Sequence, residues 1–198
     1  MKTSAYIMFK KMANSLSGRG LGRIPGSSVI RRIIARVNEA LKPGGVVLIE
    51  RQGSKMFVDA DDEGMVPHLL VDGVYEEFET ELYKKSIRPD MVIVDIGANF
   101  GYYSLIGARL LNAGGMVYAF EPEPHNYEML LKNIEINGYS NIIPVRKAIS
   151  NRGGINRLYV DRKNLGGHSL HGKHLRGSGL CGGGSGYPGW LFQGRGGG

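Results

Sequence analysis

The chain has 198 residues, 42% hydrophobic and 22% charged, with a net charge of +7, which suits one globular domain, at most one and a half. A single cysteine, Cys181, excludes an internal disulfide framework and a cysteine-only zinc site, and fits a reducing, cytoplasmic setting. No apolar run approaches the roughly 20 residues of a membrane-spanning helix, and Tyr6 to Phe9 is too short for a signal-peptide core.

Met1 to Gly26 has few core-forming residues and carries Gly18-Arg19-Gly20 and Gly22-Arg23, which predicts a weak helix followed by a flexible link. Ser27 or Ser28 is placed to cap a helix reaching about Leu41. Val29, Ile33, Ile34, Val37 and Leu41 lie near one of its faces, Arg31, Arg32, Arg36 and Lys42 elsewhere, and Pro43-Gly44-Gly45 stops it. A basic amphipathic helix suits a membrane surface or RNA, but packing against the domain is the favoured reading. Val46–Glu50 and Lys55–Ala60 read as a hairpin joined by Arg51-Gln52-Gly53-Ser54. The acidic cluster Asp59, Asp61, Asp62 and Glu63 lacks the alternation of a calcium loop, which favours a solvated turn and helix cap over a metal site. Glu63–Leu70 and Tyr75–Ile87 look helical. The second carries Phe78 and Leu82 on one side and Glu76, Glu77, Glu79, Lys84 and Lys85 on the other.

From Pro89-Asp90 onward strand and helix alternate. Met91–Ile96, Met116–Phe120 and Asn141–Arg146 are strand-like, and Tyr102–Leu111 and Pro124–Asn137 are helical, the latter closed by Gly138. This order predicts an α/β fold: an incomplete, Rossmann-like parallel sheet with helices on both faces, preceded by a β-hairpin and helices. A ligand crevice then lies beyond the carboxyl ends of the strands, where Asp95, Glu121 and Ala148 fall.

Gly97, Ala98, Asn99, Phe100 and Gly101 form a small-residue turn between strand and helix, where glycines admit a ligand to the backbone and the unpaired N–H groups of the helix's first turn would face it. Glu121, 24 residues after Gly97, is placed to accept hydrogen bonds from a ribose diol. A nicotinamide dinucleotide and adenosylmethionine share that logic. Asn99 stands where the dinucleotide fingerprint wants glycine, and the Asp95 carboxylate would repel a pyrophosphate while tolerating an ammonium and a sulfonium. The residues therefore favour S-adenosyl-L-methionine as cofactor.

Asp95-Ile-Gly-Ala-Asn-Phe-Gly-Tyr-Tyr-Ser104, Phe120-Glu-Pro122, Asn133-Ile-Glu-Ile-Asn-Gly138 and Ala148-Ile-Ser150 together resemble the FkbM-type methyltransferases, a branch of the class I adenosylmethionine-dependent enzymes. Asp61-Asp-Glu-Gly64, Gly73-Val-Tyr-Glu-Glu77 and Gly166-Gly-His-Ser-Leu170 extend the likeness, which runs from about Val46 to Leu170. The resemblance implies methyl transfer to a hydroxyl of a saccharide or other small metabolite. It implies that Gly97, Ala98, Asn99 and Gly101 line the methionine part of the cofactor, that Asp95 fixes the loop, that Glu121 holds the ribose and that Ala148 lies against the adenine. It names no catalytic base. His125, at a helix start, reads as structural.

The family continues past Leu170 with a fourth strand, and this chain instead becomes Gly-rich, which suggests a shifted reading frame or an interrupted gene. Three regions follow: a basic helical segment over 1–45, a partial methyltransferase domain over 46–170, and a tail over 171–198 expected to be disordered. His168, His171 and His174 with Cys181 read as accidental rather than metal-binding. Without the fourth strand, Met91–Ile96 has an open apolar edge and the chain is expected to self-associate, with doubtful activity as it stands. Nucleic acid is set aside as a partner, since the basic residues are scattered and no RNA-binding motif is recognisable. A non-catalytic adenosine- or RNA-binding module, or an RNA methyltransferase, is the alternative.

Overall fold

The computed structural model describes residues 2–17, 27–150, 154–156, 158–161, 164–167 and 190–192. Two helices open the chain, Lys2–Ser17 (α1) and Ser27–Leu41 (α2), and pack against each other. Leu41 packs against the core and Ile34 and Val37 are partly buried, whereas Val29 and Ile33 of the α2 stripe are exposed. The link expected over 18–26 lies outside the described residues.

Val46–Arg51 (β1) and Ser54–Asp59 (β2) form the expected antiparallel hairpin. Its two-residue turn puts Gln52 at φ 54° and Gly53 at φ 77°, the left-handed pair whose twist matches that of the flanking strands. Period-two alternation buries Ser54, Met56 and Val58. Val66–Val71 (α3) follows, its last carbonyls held by the Arg51 guanidinium, whose Nε donates to Leu69 O at 2.6 Å. Glu77–Ser86 (α4) comes next. Thr80 is its buried residue, bonded to Tyr75 O at 2.7 Å, while Phe78 and Leu82 face solvent.

The centre is a parallel sheet of Val92–Ile96 (β3), Met116–Phe120 (β4) and Ile142–Val145 (β5), in the order β3-β4-β5. Tyr102–Leu110 (α5) and Pro124–Asn137 (α6) connect them. The α/β, Rossmann-like class thus stands. Val117, Ala119 and Ile142 are buried under the helices, and α5 approaches so closely that a Cβ on Gly107 would come 3.1 Å from Ile93 Cδ1. On the opposite face Val92, Val94, Ile96 and Ile143 are exposed, so among the described residues the helices cover one face rather than the two expected.

Helix α6 also closes the hairpin. Asn133 accepts from Phe57 N at 2.6 Å and donates to Phe57 O at 3.0 Å, and Asn137, one turn on, makes the same pair with Lys55 N and O at 2.9 and 2.7 Å. Two side-chain amides thereby act as a neighbouring strand for the outer edge of β2. In the tail, Trp190–Phe192 (β7) pairs antiparallel with Gly154–Asn156 (β6). Trp-Leu-Phe is the apolar triplet of that Gly-rich stretch. The rest of the tail, with His171, His174 and Cys181, and His168 before it, lies outside the described residues. No described helix is long and apolar enough to cross a membrane.

Candidate functional site

Register places Ile96, Phe120 and Val145 level at the carboxyl edge of the sheet, so the turn after β3, Glu121 after β4 and the segment after β5 emerge side by side. The turn carries three left-handed residues in five: Gly97 at φ 80°, Asn99 at 54° and Gly101 at 100°. This explains Asn99 in a glycine-like position, because asparagine tolerates that conformation better than most side chains. Gly101 is doubly required, since a Cβ there would lie 2.7 Å from Leu130 Cδ1 of α6. Around Gly97 a Cβ would meet nothing within 4 Å, so the concave side of the turn is open there.

Every N–H from 97 to 101 has an acceptor inside the protein. Gly97 and Ala98 both donate to Phe120 O at 2.9 Å, Phe100 to Asn99 Oδ1 at 2.8 Å and Gly101 to Ala98 O at 2.8 Å. Asn99 N donates to Glu121 Oε2 at 2.8 Å. These donors fix the turn's shape rather than waiting for an anion.

Glu121 is 4% exposed and turned toward the turn, with its second oxygen accepting from Glu123 N at 2.8 Å. Burial pushes its carboxyl up to about 7; the two backbone N–H bonds pull against that shift, and the carboxylates of Glu123 and Asp95 add to it. Glu123 caps α6 by accepting from Asn126 N at 2.7 Å, with Pro124 in the first turn. Asp95 points the other way, onto α5, where Ser104 Oγ donates to it at 2.6 Å. Burial raises its carboxyl above the usual range against the bonds from Ser104. The structure therefore brings Gly97, Ala98, Asn99, Gly101 and Glu121 into one bonded unit, with Asp95 bracing it from beneath. Ala148 is half-buried three residues past β5, at the same edge, without a hydrogen bond joining it to the turn among those described.

Two residues that sequence reasoning left without this role hold a further strap across the site. Asp62 Oδ1 accepts from Leu165 N at 2.8 Å, and Asn126 Nδ2 donates to Leu165 O at 2.9 Å. This clamps the Leu165 backbone so that a Cβ on Gly166 would sit 3.6 Å from the Asn99 amide nitrogen. Asp62 Oδ2 also accepts from Val66 N at 3.0 Å, Asp61 accepts from Gly45 N, and Asp59 accepts from Asp61 N and lies 3.2 Å from His125 Nε2. The acidic cluster is engaged in capping and turns. Only Asp62's buried position, unusual for a charged side chain, marks it out, and sequence gives no sign of that.

No family model matches the chain. Over 58 residues, 29% of this chain, it is 38% identical to a protein-L-isoaspartate O-methyltransferase of Aeropyrum pernix, and the match spans 22% of that relative's length. Among solved structures it is similar to P. horikoshii TYW2 in complex with MeSAdo, at 22% identity and TM-score 0.44, covering 58% of this chain and 40% of that one. It is likewise similar to M. jannaschii tRNA m1G37 methyltransferase, at 24% identity and TM-score 0.42, covering 52% and 30%. Structural likeness at that level carries no argument about substrate. The comparisons agree with the class I adenosylmethionine-dependent methyltransferase resemblance at the level of the class, and give its FkbM-type branch no support. They also correct one expectation: a tRNA methyltransferase stands among the matched structures, so the exclusion of nucleic acid as a partner is withdrawn.

Proposed function

We propose that the chain carries the donor half of an adenosylmethionine-dependent methyltransferase, with the cofactor seated over Gly97 and its ribose at Glu121. The observation that carries this reading is the bond from Asn99 N–H to Glu121, which locks the acid after β4 to the turn after β3 while the concave side at Gly97 stays open. A methyl-bearing sulfonium supplies its own leaving group, so the protein's part is to hold, orient and exclude water.

Within this proposal Gly97 admits the methionine part, and Ala98, Asn99 and Gly101 hold the curvature. Asp95 braces the turn through Ser104 and adds a negative charge beneath a cationic ligand. Each Glu121 oxygen already accepts one backbone N–H and keeps a lone pair for a ribose hydroxyl. Ala148 offers a small apolar contact for the adenine. The Leu165 strap, held by Asp62 and Asn126, closes over the Asn99 side. The three-region division and a cytoplasmic location belong to the same reading. The acceptor is a hydroxyl of a small metabolite under the FkbM-type resemblance, or RNA, which suits the net charge of +7.

Calorimetric titration of the full chain with adenosylmethionine, its demethylated product and NAD tests the donor site. The expected result is binding of the first two, loss or strong weakening in Gly97→Val, and no binding of NAD. Silence from all three ligands, or preference for NAD, overturns it. Salt-dependent RNA affinity, falling steeply between about 50 and 200 mM salt, separates the two acceptor readings.

A further inference from the structure

The positive charge of this chain is gathered in one region. Residues 1–45 hold nine of the 25 lysines and arginines but one of the 18 acids, Glu39, a net +8; residues 46–198 come to −1, which together make the chain's +7. That region is the pair α1 and α2, which pack on each other while α1 also rests on α3. Each helix has two unlike faces. Tyr6 and Ala13 of α1 are buried and Ile34, Val37 and Leu41 of α2 are partly buried, so one stripe of each is already covered by protein. The outer face of such a helix is ordinarily polar. Here Met8 and Met12 of α1 are 73% and 55% exposed, one turn apart, with exposed Lys11 beside them. Val29 and Ile33 of α2 are 55% and 56% exposed, with exposed Arg32 and Arg36 three residues on from each. Ser4, Ser15 and Ala40 on the same faces are small, and no acid is among the exposed side chains described on either helix.

We propose that these outer faces of α1 and α2 dock the chain on an anionic phospholipid bilayer surface. Apolar side chains interleaved with lysine and arginine are what a headgroup layer accommodates: the apolar groups sink about 5–10 Å to the acyl boundary while the cations stay level with the lipid phosphates. Each lysine or arginine near an anionic surface strengthens binding roughly fivefold, so the charge of this region and its four exposed apolar residues act together. RNA would take the cations and leave Met8, Met12, Val29 and Ile33 in water, gaining nothing from them. A second copy would set one +8 region against another. A bilayer matches both properties and asks for no shaped groove. The Gly97 turn plays no part in this contact, so vesicle binding and cofactor binding stand or fall separately.

Cosedimentation of the full chain with vesicles of phosphatidylcholine alone, and of phosphatidylcholine with about 30% phosphatidylserine, tests this at about 100 and 500 mM salt. Binding to the anionic vesicles is expected, about tenfold or more tighter than to the neutral ones and weakened severalfold by salt. Met12→Ser and Ile33→Ser, both at exposed positions, should each weaken it about fivefold, and Arg32→Gln with Arg36→Gln about twentyfold. Phe78→Ser, equally apolar and exposed but on α4 beside β3, should leave it unchanged. The neutral-against-anionic comparison uses the wild type and stays decisive should a variant fail to fold. No sedimentation with anionic vesicles overturns the proposal, as does equal binding to both vesicles or binding indifferent to Met12→Ser and Ile33→Ser. Affinity for a single-stranded RNA that falls with Arg32→Gln and Arg36→Gln, without vesicle binding, assigns the face to nucleic acid and overturns it too.

Discussion

The two borders of β3 are treated in opposite ways. At its carboxyl end five successive N–H groups, the carboxylates of Glu121 and Glu123 and the side-chain amides of Asn99 and Asn133 are engaged in hydrogen bonds, mostly out of water. Along its outer flank, among the described residues, β3 has no neighbouring strand, and Val92, Val94 and Ile96 are exposed. Shape at the first border is set by polar groups that must be satisfied where water is absent; at the second the described residues leave apolar surface exposed.

Breaking the first border should cost most. Asn133→Ala removes three hydrogen bonds, to Phe57 N, Phe57 O and Phe100 O, and strands those groups in the interior. The urea midpoint should drop by the equivalent of about 3 kcal/mol or more; a loss under about 1 kcal/mol would mean the hairpin is held by other contacts. Glu121 sharpens the comparison through pH. Its carboxyl sits near 7 in the folded chain against an ordinary value near 4.5, so its contribution is fully present below about pH 4.5 and is lost as pH rises through 7. Between those values the wild type should lose up to about 3 kcal/mol relative to Glu121→Gln, and parallel stability curves would contradict the burial. Next comes Gly101→Ala, at about 2 kcal/mol in thermal or urea unfolding, because strain at φ 100° adds to the clash with Leu130. Gly97→Ala carries the strain without the clash and should cost about 1 kcal/mol. At the second border, Phe78→Ser should change the stability of the monomer by less than about 0.5 kcal/mol, measured by dilute chemical denaturation.

The sequence made the local parts plain. The hairpin turn at Gln52-Gly53, the Gly-Asn-Gly spacing of the left-handed turn, Pro124 and Gly138 around α6, and the acid after β4 all rest on chemistry within a few residues. What it concealed depends on partners far along the chain. Asn133 and Asn137 read as one stretch of a family-like motif, yet their work is done on residues 76 and 82 positions earlier. Asp62 reads as one of four acids at a turn and is the clamp for Leu165, 103 positions away. Helical spacing put Phe78 and Leu82 on one face, but spacing cannot say whether that face has a neighbour, and the helix buries Thr80 instead. The same blindness applies to the sheet, whose apolar strands announce two buried faces while the described helices supply one.

The amides of α6 that stand in for a strand also set a schedule for synthesis. Residues 55 and 57 leave the ribosome about 80 residues ahead of the side chains that will cover them, which at ~5–20 residues per second is a wait of roughly 4–16 seconds. A hairpin forms in microseconds, so for nearly all of that interval the β2 margin of the nascent chain waits without the amides that cover it.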